Sequence, residues 1–129
     1  MKTLKLKYDV LCCVGHIVQV EIWEDENQLH YSWHHDFARQ KRWTEPKDAV
    51  CDTSVEELNR LIDNLRENCE ISKGKLVMDP SIYTLDLVNR DGEEIHYRWS
   101  DDDNVSPGLK DFLTAIEGII GDMPFSIYK

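Results

Sequence analysis

The amino-acid sequence predicts an α+β fold: an antiparallel sheet of about five strands, in the order βββ-α-ββ-α, with two amphipathic helices packed on one face. Three observations carry this expectation. Five segments alternate apolar and polar residues, the period of a half-buried strand. Two others place apolar residues at helical spacing behind residues suited to cap a helix. The turns between the first strands are short and polar, and so cannot hold parallel crossovers. With 129 residues the chain is read as a single domain, 1–129.

The elements follow in order. From Leu4 to Val14 the even positions Leu4, Leu6, Tyr8, Val10, Cys12 and Val14 are apolar, with Lys5, Lys7 and Asp9 between them. Gly15-His16 is a turn, and Ile17 to Glu24 continues with Val18, Val20 and Ile22 on one face. Glu24 to Asn27 supplies a polar turn, after which Leu29, Tyr31, Trp33, His35 and Phe37 line a third strand. Arg39 to Asp52 shows no sustained period and contains Pro46, as a long connection does.

A helix starts at Thr53 or Ser54, with Glu56 and Glu57 in capping-box register. Val55, Leu58, Leu61, Ile62 and Leu65 mark its buried face, Cys69 extends it, and Lys73-Gly74-Lys75 ends the helical region. Leu76-Val77-Met78 is expected as a short edge strand before Asp79-Pro80. A hairpin comes next: Tyr83, Leu85 and Leu87 alternate on one strand and Ile95, Tyr97 and Trp99 on the other, about the turn Asn89-Arg90-Asp91-Gly92. Ser106 then caps a second helix with Pro107 in its first position. Its stripe is Leu109, Phe112, Leu113, Ile116, Ile119 and Ile120, and Gly121 stops it. Phe125 and Ile127 are placed on a final edge strand.

Composition narrows the class. A 41% apolar content with four Trp argues for a folded globule. No apolar run approaches the ~20 residues of a membrane helix, and the alternating start Met1 to Lys7 lacks the apolar core of a secretory signal. The chain is therefore expected in the cytoplasm. Cys12, Cys13, Cys51 and Cys69 have no zinc or redox spacing and are read as reduced thiols. The net charge of −10 lies almost wholly in residues 51–129, which hold eight Lys or Arg against seventeen Asp or Glu. Such a surface repels phosphate backbones and attracts a basic protein.

Chemistry-bearing constellations are few. His30, His34 and Asp36 share the polar face of the third strand, but His30 and His34 stand roughly 13 Å apart at the usual rise. Only His34 and Asp36 can act together on one metal, with further ligands from elsewhere. Asp101-Asp102-Asp103-Asn104 resembles the start of a calcium loop, yet its sixth and twelfth positions are Ser106 and Phe112 rather than glycine and glutamate. These acids are read instead as favouring the positive end of the second helix. Arg39, Lys41, Arg42 and Lys47 surround Trp43, an arrangement that plugs the sheet edge while its cations neutralise the acidic half, anchors a protein contact, or stacks on a base. No nucleophile elbow or phosphate-cradling loop is present.

Residues 54–120 carry an amphipathic helix, Asp79-x-x-x-Tyr83-x-Leu85, the Gly92 turn, and Asp103-x-Val105-x-Pro107-x-Leu109 opening the last helix. This stretch, about half the chain, resembles the emfourin family of metalloprotease inhibitors. The resemblance implies an inhibitory binding role and carries over no functional residue. The chain departs from that family at its start, where Cys12-Cys13-Val14-Gly15 replaces a glycine-rich hairpin.

The combined expectation is a protein-binding module with no cofactor and no catalytic activity: an inhibitor, immunity or regulatory accessory protein. Its candidate surface is Glu93, Glu94, Asp101, Asp102 and Asp103, with Arg39, Arg42 and Trp43 as a second patch. The expected partner is a protein with a basic surface, and a membrane is not expected. Two alternatives stand beside it. One is a metal-dependent enzyme using His34 and Asp36, the other a single-stranded nucleic-acid binder using Trp43 and its cations.

Overall fold

A computed structural model describes residues 2–11, 17–36, 49–51, 53–78 and 80–120, with 35, 36 and 49 described by their backbone alone. β1 (Thr3–Leu11), β2 (Ile17–Asp25) and β3 (Gln28–Asp36) form the expected antiparallel meander. β4 (Ala49–Val50) adds a short edge to β3 at His30 and Tyr31. Helix α1 (Val55–Asn68) and β5 (Ile71–Lys73) follow, then the hairpin of β6 (Ile82–Val88) and β7 (Glu94–Ser100). β8 (Asp103–Val105) and helix α2 (Pro107–Ile120) complete the order. The main sheet runs β4-β3-β2-β1-β6-β7, and β5 pairs with β8 in a separate ribbon. No helix among the described residues is long and apolar enough to cross a membrane.

The alternation in the sequence becomes one continuous apolar face. Tyr8 stands between Val20 and Leu85, Val10 between Val18 and Tyr83, and Leu6 between Ile22 and Leu87. Both helices cover this face: Leu58, Ile62 and Leu65 of α1 join Leu109, Phe112, Leu113, Ile116 and Ile120 of α2 in a single buried cluster with the strands. Each fully buried aliphatic side chain there contributes roughly 1.5–3 kcal/mol. Trp99 stacks on Tyr83 at 5.4 Å and on Tyr8 at 6.3 Å, tying β7 to the centre of the sheet.

Two turns show why their residues were chosen. Glu26 and Asn27 both take positive φ, 53° and 64°, the type I′ geometry that matches the twist of β2 and β3. In the β6–β7 turn Gly92 takes φ 81°, and the buried Asn89 closes the loop. The Asn89 side-chain oxygen accepts from the N–H groups of Asp91 (3.0 Å) and Glu93 (2.9 Å). The Lys5 ammonium reaches the Asn89 carbonyl at 3.3 Å, and the register shift between Leu4 and Leu6 leaves Lys5 as the extra residue of β1. Burial lowers the Lys5 pKa, with the Glu24 carboxylate opposing.

The structure corrects several local expectations. Leu76-Val77-Met78 forms no strand; the short strand is Ile71–Lys73, because those residues find a ladder partner in Asp103–Val105. The helical region therefore ends at Asn68 rather than at Lys73, and Cys69 is the extended C-cap, not a further helical residue. Within the long connection, Ala49–Val50 pairs with β3, and the Cys51 N–H donates to the Leu29 carbonyl at 2.8 Å. Cys12 to His16, Phe37 to Asp48 and the expected last strand at Phe125 and Ile127 lie outside the described residues.

Capping also differs between the helices. Ser54 caps α1 as expected, its hydroxyl accepting from the Glu57 N–H at 3.1 Å, while the Glu57 carboxylate turns to Arg60. Ser106 stands at the start of α2, but its hydroxyl serves the other helix. It donates to the Asn68 carbonyl at 2.8 Å and accepts from the Glu70 N–H at 2.9 Å, and the Ser106 N–H donates to the Glu70 carbonyl at 2.9 Å. One hydroxyl thus closes the C-terminus of α1 at the entry to α2. Ser106→Ala removes both side-chain bonds and is expected to cost about 1–3 kcal/mol. A urea titration reads this as a lower midpoint at unchanged slope.

Candidate functional site

The expected acidic surface is divided by the fold. Glu93 and Glu94 sit where β7 begins, and Asp101 to Asp103 sit just beyond its far end. Seven residues of strand, about 23 Å, separate Glu94 from Asp101. Glu93 pairs with Arg66 of α1 at 3.3 Å on an exposed surface. Arg39, Arg42 and Trp43 lie outside the described residues.

The three aspartates hold main chain. The Asp101 carboxylate accepts from the Ser81 N–H at 2.8 Å and from the Tyr83 hydroxyl at 2.7 Å. Asp103 accepts from the Ser100 N–H at 2.8 Å. Asp102 accepts from the Val77 N–H through its side chain and from the Gly74 N–H through its carbonyl, the latter at 2.8 Å. Gly74 is needed for that approach, since a Cβ there would fall 2.6 Å from the Asp102 carbonyl oxygen.

This network presents an apolar tip. Leu76 is 94% exposed and Met78 90%, with Val77 between them at 45%. Three consecutive apolar residues are thus held in water on a loop whose main chain is fixed at Gly74, Val77 and Ser81. Isolated exposed apolar residues are ordinary, whereas these three are contiguous on an anchored loop. Sequence reasoning placed these residues on a strand; the available signal was Gly74 before them and Pro80 after them, which bound a loop.

The face of the sheet opposite the helices is polar. Across it Glu21 of β2 faces Lys7 of β1, Lys7 faces Asp86 of β6, and Asp86 faces His96 of β7. His96 Nδ1 lies 2.7 Å from the Asp86 carboxylate, and this bond holds the His96 pKa above its ordinary value. Asp9, at the centre of this face, keeps one carboxylate oxygen buried without a hydrogen-bond partner. Burial raises its pKa, Lys7 and Gln19 pulling the other way. His34 stands opposite Gln19, and the side chain of Asp36 lies outside the described residues. Among the described residues no group of three His, Cys, Asp or Glu gathers to hold a metal ion.

Burial pushes the Cys51 thiol up to about 11 and also raises that of the half-buried Cys69, so neither is an activated nucleophile. A groove of about 390 Å³ runs between the helices, with Leu61, Leu65 and Phe112 on its walls and Asn64, Asn68 and Asp111 at its polar margin.

Two outcomes are expected. Asp102→Ala removes the side-chain acceptor of the Val77 N–H and keeps the main-chain bond to Gly74, so amide exchange at Val77 speeds up while the melting temperature falls by only a few degrees. The His96–Asp86 pair contributes below the ordinary histidine pKa near 6.5 and is lost as pH rises through the raised folded value. NMR titration should therefore find His96 above that ordinary value, and Asp86→Asn should return it downward. Compared with known proteins, the chain matches no family model, no curated protein and no solved structure.

Proposed function

We propose that this protein acts by binding another protein, with the Leu76–Met78 tip as the anchor that enters an apolar pocket of the partner. The observation that carries this reading is the pairing of high exposure with fixed main chain at the tip. Aliphatic residues held in water raise the free energy of the unbound protein, and burial in a partner recovers it. Fixing the backbone beforehand reduces the ordering cost of association. The acidic excess of residues 51–129 steers the approach toward a basic rim around that pocket.

An inhibitor is the role that best suits such a loop, since a fixed apolar tip blocks a cleft without being processed. The emfourin-like motifs along residues 54–120 point the same way. An immunity or regulatory accessory protein would use the tip in the same manner.

Affinity capture from a source lysate tests the reading, with wild type beside Leu76→Ser/Met78→Ser. Both positions are exposed, so the variant should keep the wild-type melting temperature. Truncating two anchors is expected to weaken a stoichiometric partner by at least about tenfold. Equal retention of that partner by both proteins, or capture of none by wild type, removes the tip from function.

A further inference from the structure

β7 is the edge of the main sheet, and among the described residues it pairs with β6 alone. Its hydrogen-bonding parity is fixed at both ends. The Asn89 N–H donates to the Glu93 carbonyl, and the Asp101 N–H donates to the Ser81 carbonyl. Odd-numbered residues of β7 therefore turn their main-chain groups toward β6, and even-numbered ones turn theirs outward. Ser100 obeys this rule, its outward N–H being taken by the Asp103 carboxylate at 2.8 Å. Glu94, His96 and Arg98 then form an edge that can template a further strand.

The side chains on this edge are self-complementary. Glu94 and Arg98, both exposed, lie symmetrically on either side of His96 and carry opposite charge. We infer that β7 pairs antiparallel with β7 of a second copy about a two-fold axis at His96, joining the two sheets into one.

Register follows from parity and charge. An antiparallel pair in which outward groups meet outward groups must place even residues opposite even residues. With the axis at His96, Glu94 faces the partner's Arg98 on both sides, and each outward residue of the edge gains a hydrogen-bonded mate. A shift of two residues in either direction loses both of these pairs and sets His96 against Arg98 or against Glu94. Opposite charges directly across a strand pair favour the first register, the only one of the three that sets Glu94 against Arg98 on both sides of the axis. At the axis the two His96 rings meet, each already held by the Asp86 carboxylate of its own copy, with Lys7 beside that carboxylate. The cluster thus contains balancing acids, and the interface is isologous, so it closes as a dimer. It is independent of the Leu76–Met78 tip.

Light scattering after size-exclusion chromatography tests the pairing. Wild type is expected at twice the 15.1 kDa chain mass. Glu94→Arg sets two arginines against each other, and Arg98→Glu sets two glutamates, so each single variant should dimerise at least about tenfold more weakly. An equimolar mixture of the two variants makes every facing pair opposite again and should restore the dimer as a mixed species. That rescue also shows that both variants are folded. Monomeric wild type at about 100 μM, single variants that dimerise like wild type, or a mixture that stays monomeric would each overturn the proposal.

Discussion

The sheet has one apolar face, and burying that face is the constraint on which the rest of the structure depends. β1 lies in the interior of the sheet with β2 on one side and β6 on the other, so its residues Leu6, Tyr8 and Val10 form the middle of the face. Neither helix covers it alone. The stripe of α1 and the stripe of α2 meet in one cluster over the strands, which requires the helices to lie side by side at a fixed relation. The Ser106 hydroxyl sets that relation by joining the end of α1 to the start of α2. A helix C-terminus leaves its last carbonyls without intrahelical partners, and here the Ser106 hydroxyl takes that of Asn68 and, just past the helix, the Glu70 N–H.

The same economy recurs in the loops. Asn89, Asp101 and Asp102 are short polar side chains that bond to main chain, and each closes a segment that would otherwise expose unpaired groups. Asp101 also ties its loop to the aromatic stack of Tyr83 and Trp99, so the position of the apolar tip is referred back to the core. The tip can therefore stay extended into water without local collapse of its side chains onto the body of the protein.

Legibility in the sequence tracks the range of the interaction. The five long strands and both helices could be read from periodicity, because alternate residues such as Leu85 and Leu87, or Leu109, Phe112 and Leu113, report burial directly. Ser54 was legible as a cap since its partner is three residues away. Ser106 was legible in position but not in partner, because its hydroxyl reaches Asn68 and Glu70 across the fold. Asp101 to Asp103 were visible as an acidic turn, yet their partners are backbone N–H groups at Val77, Ser81 and Ser100, and a backbone group carries no residue-type signal. β5 and β8 span three residues each, too few for a period, so the ribbon and the exposed tip beside it were missed together.

The interior position of β1 also bears on how the chain reaches this state. Its first neighbour, β2, follows almost at once, but its second, β6, begins at Ile82. During synthesis, at roughly 5–20 residues per second, the meander exists for several seconds with the β6 side of β1 unpaired. Closing that pairing spans most of the chain and raises the contact order, which slows folding relative to the local hairpins. The lysines at positions 5 and 7 lie on this waiting strand, and their charge discourages the wrong strand from joining it before β6 arrives.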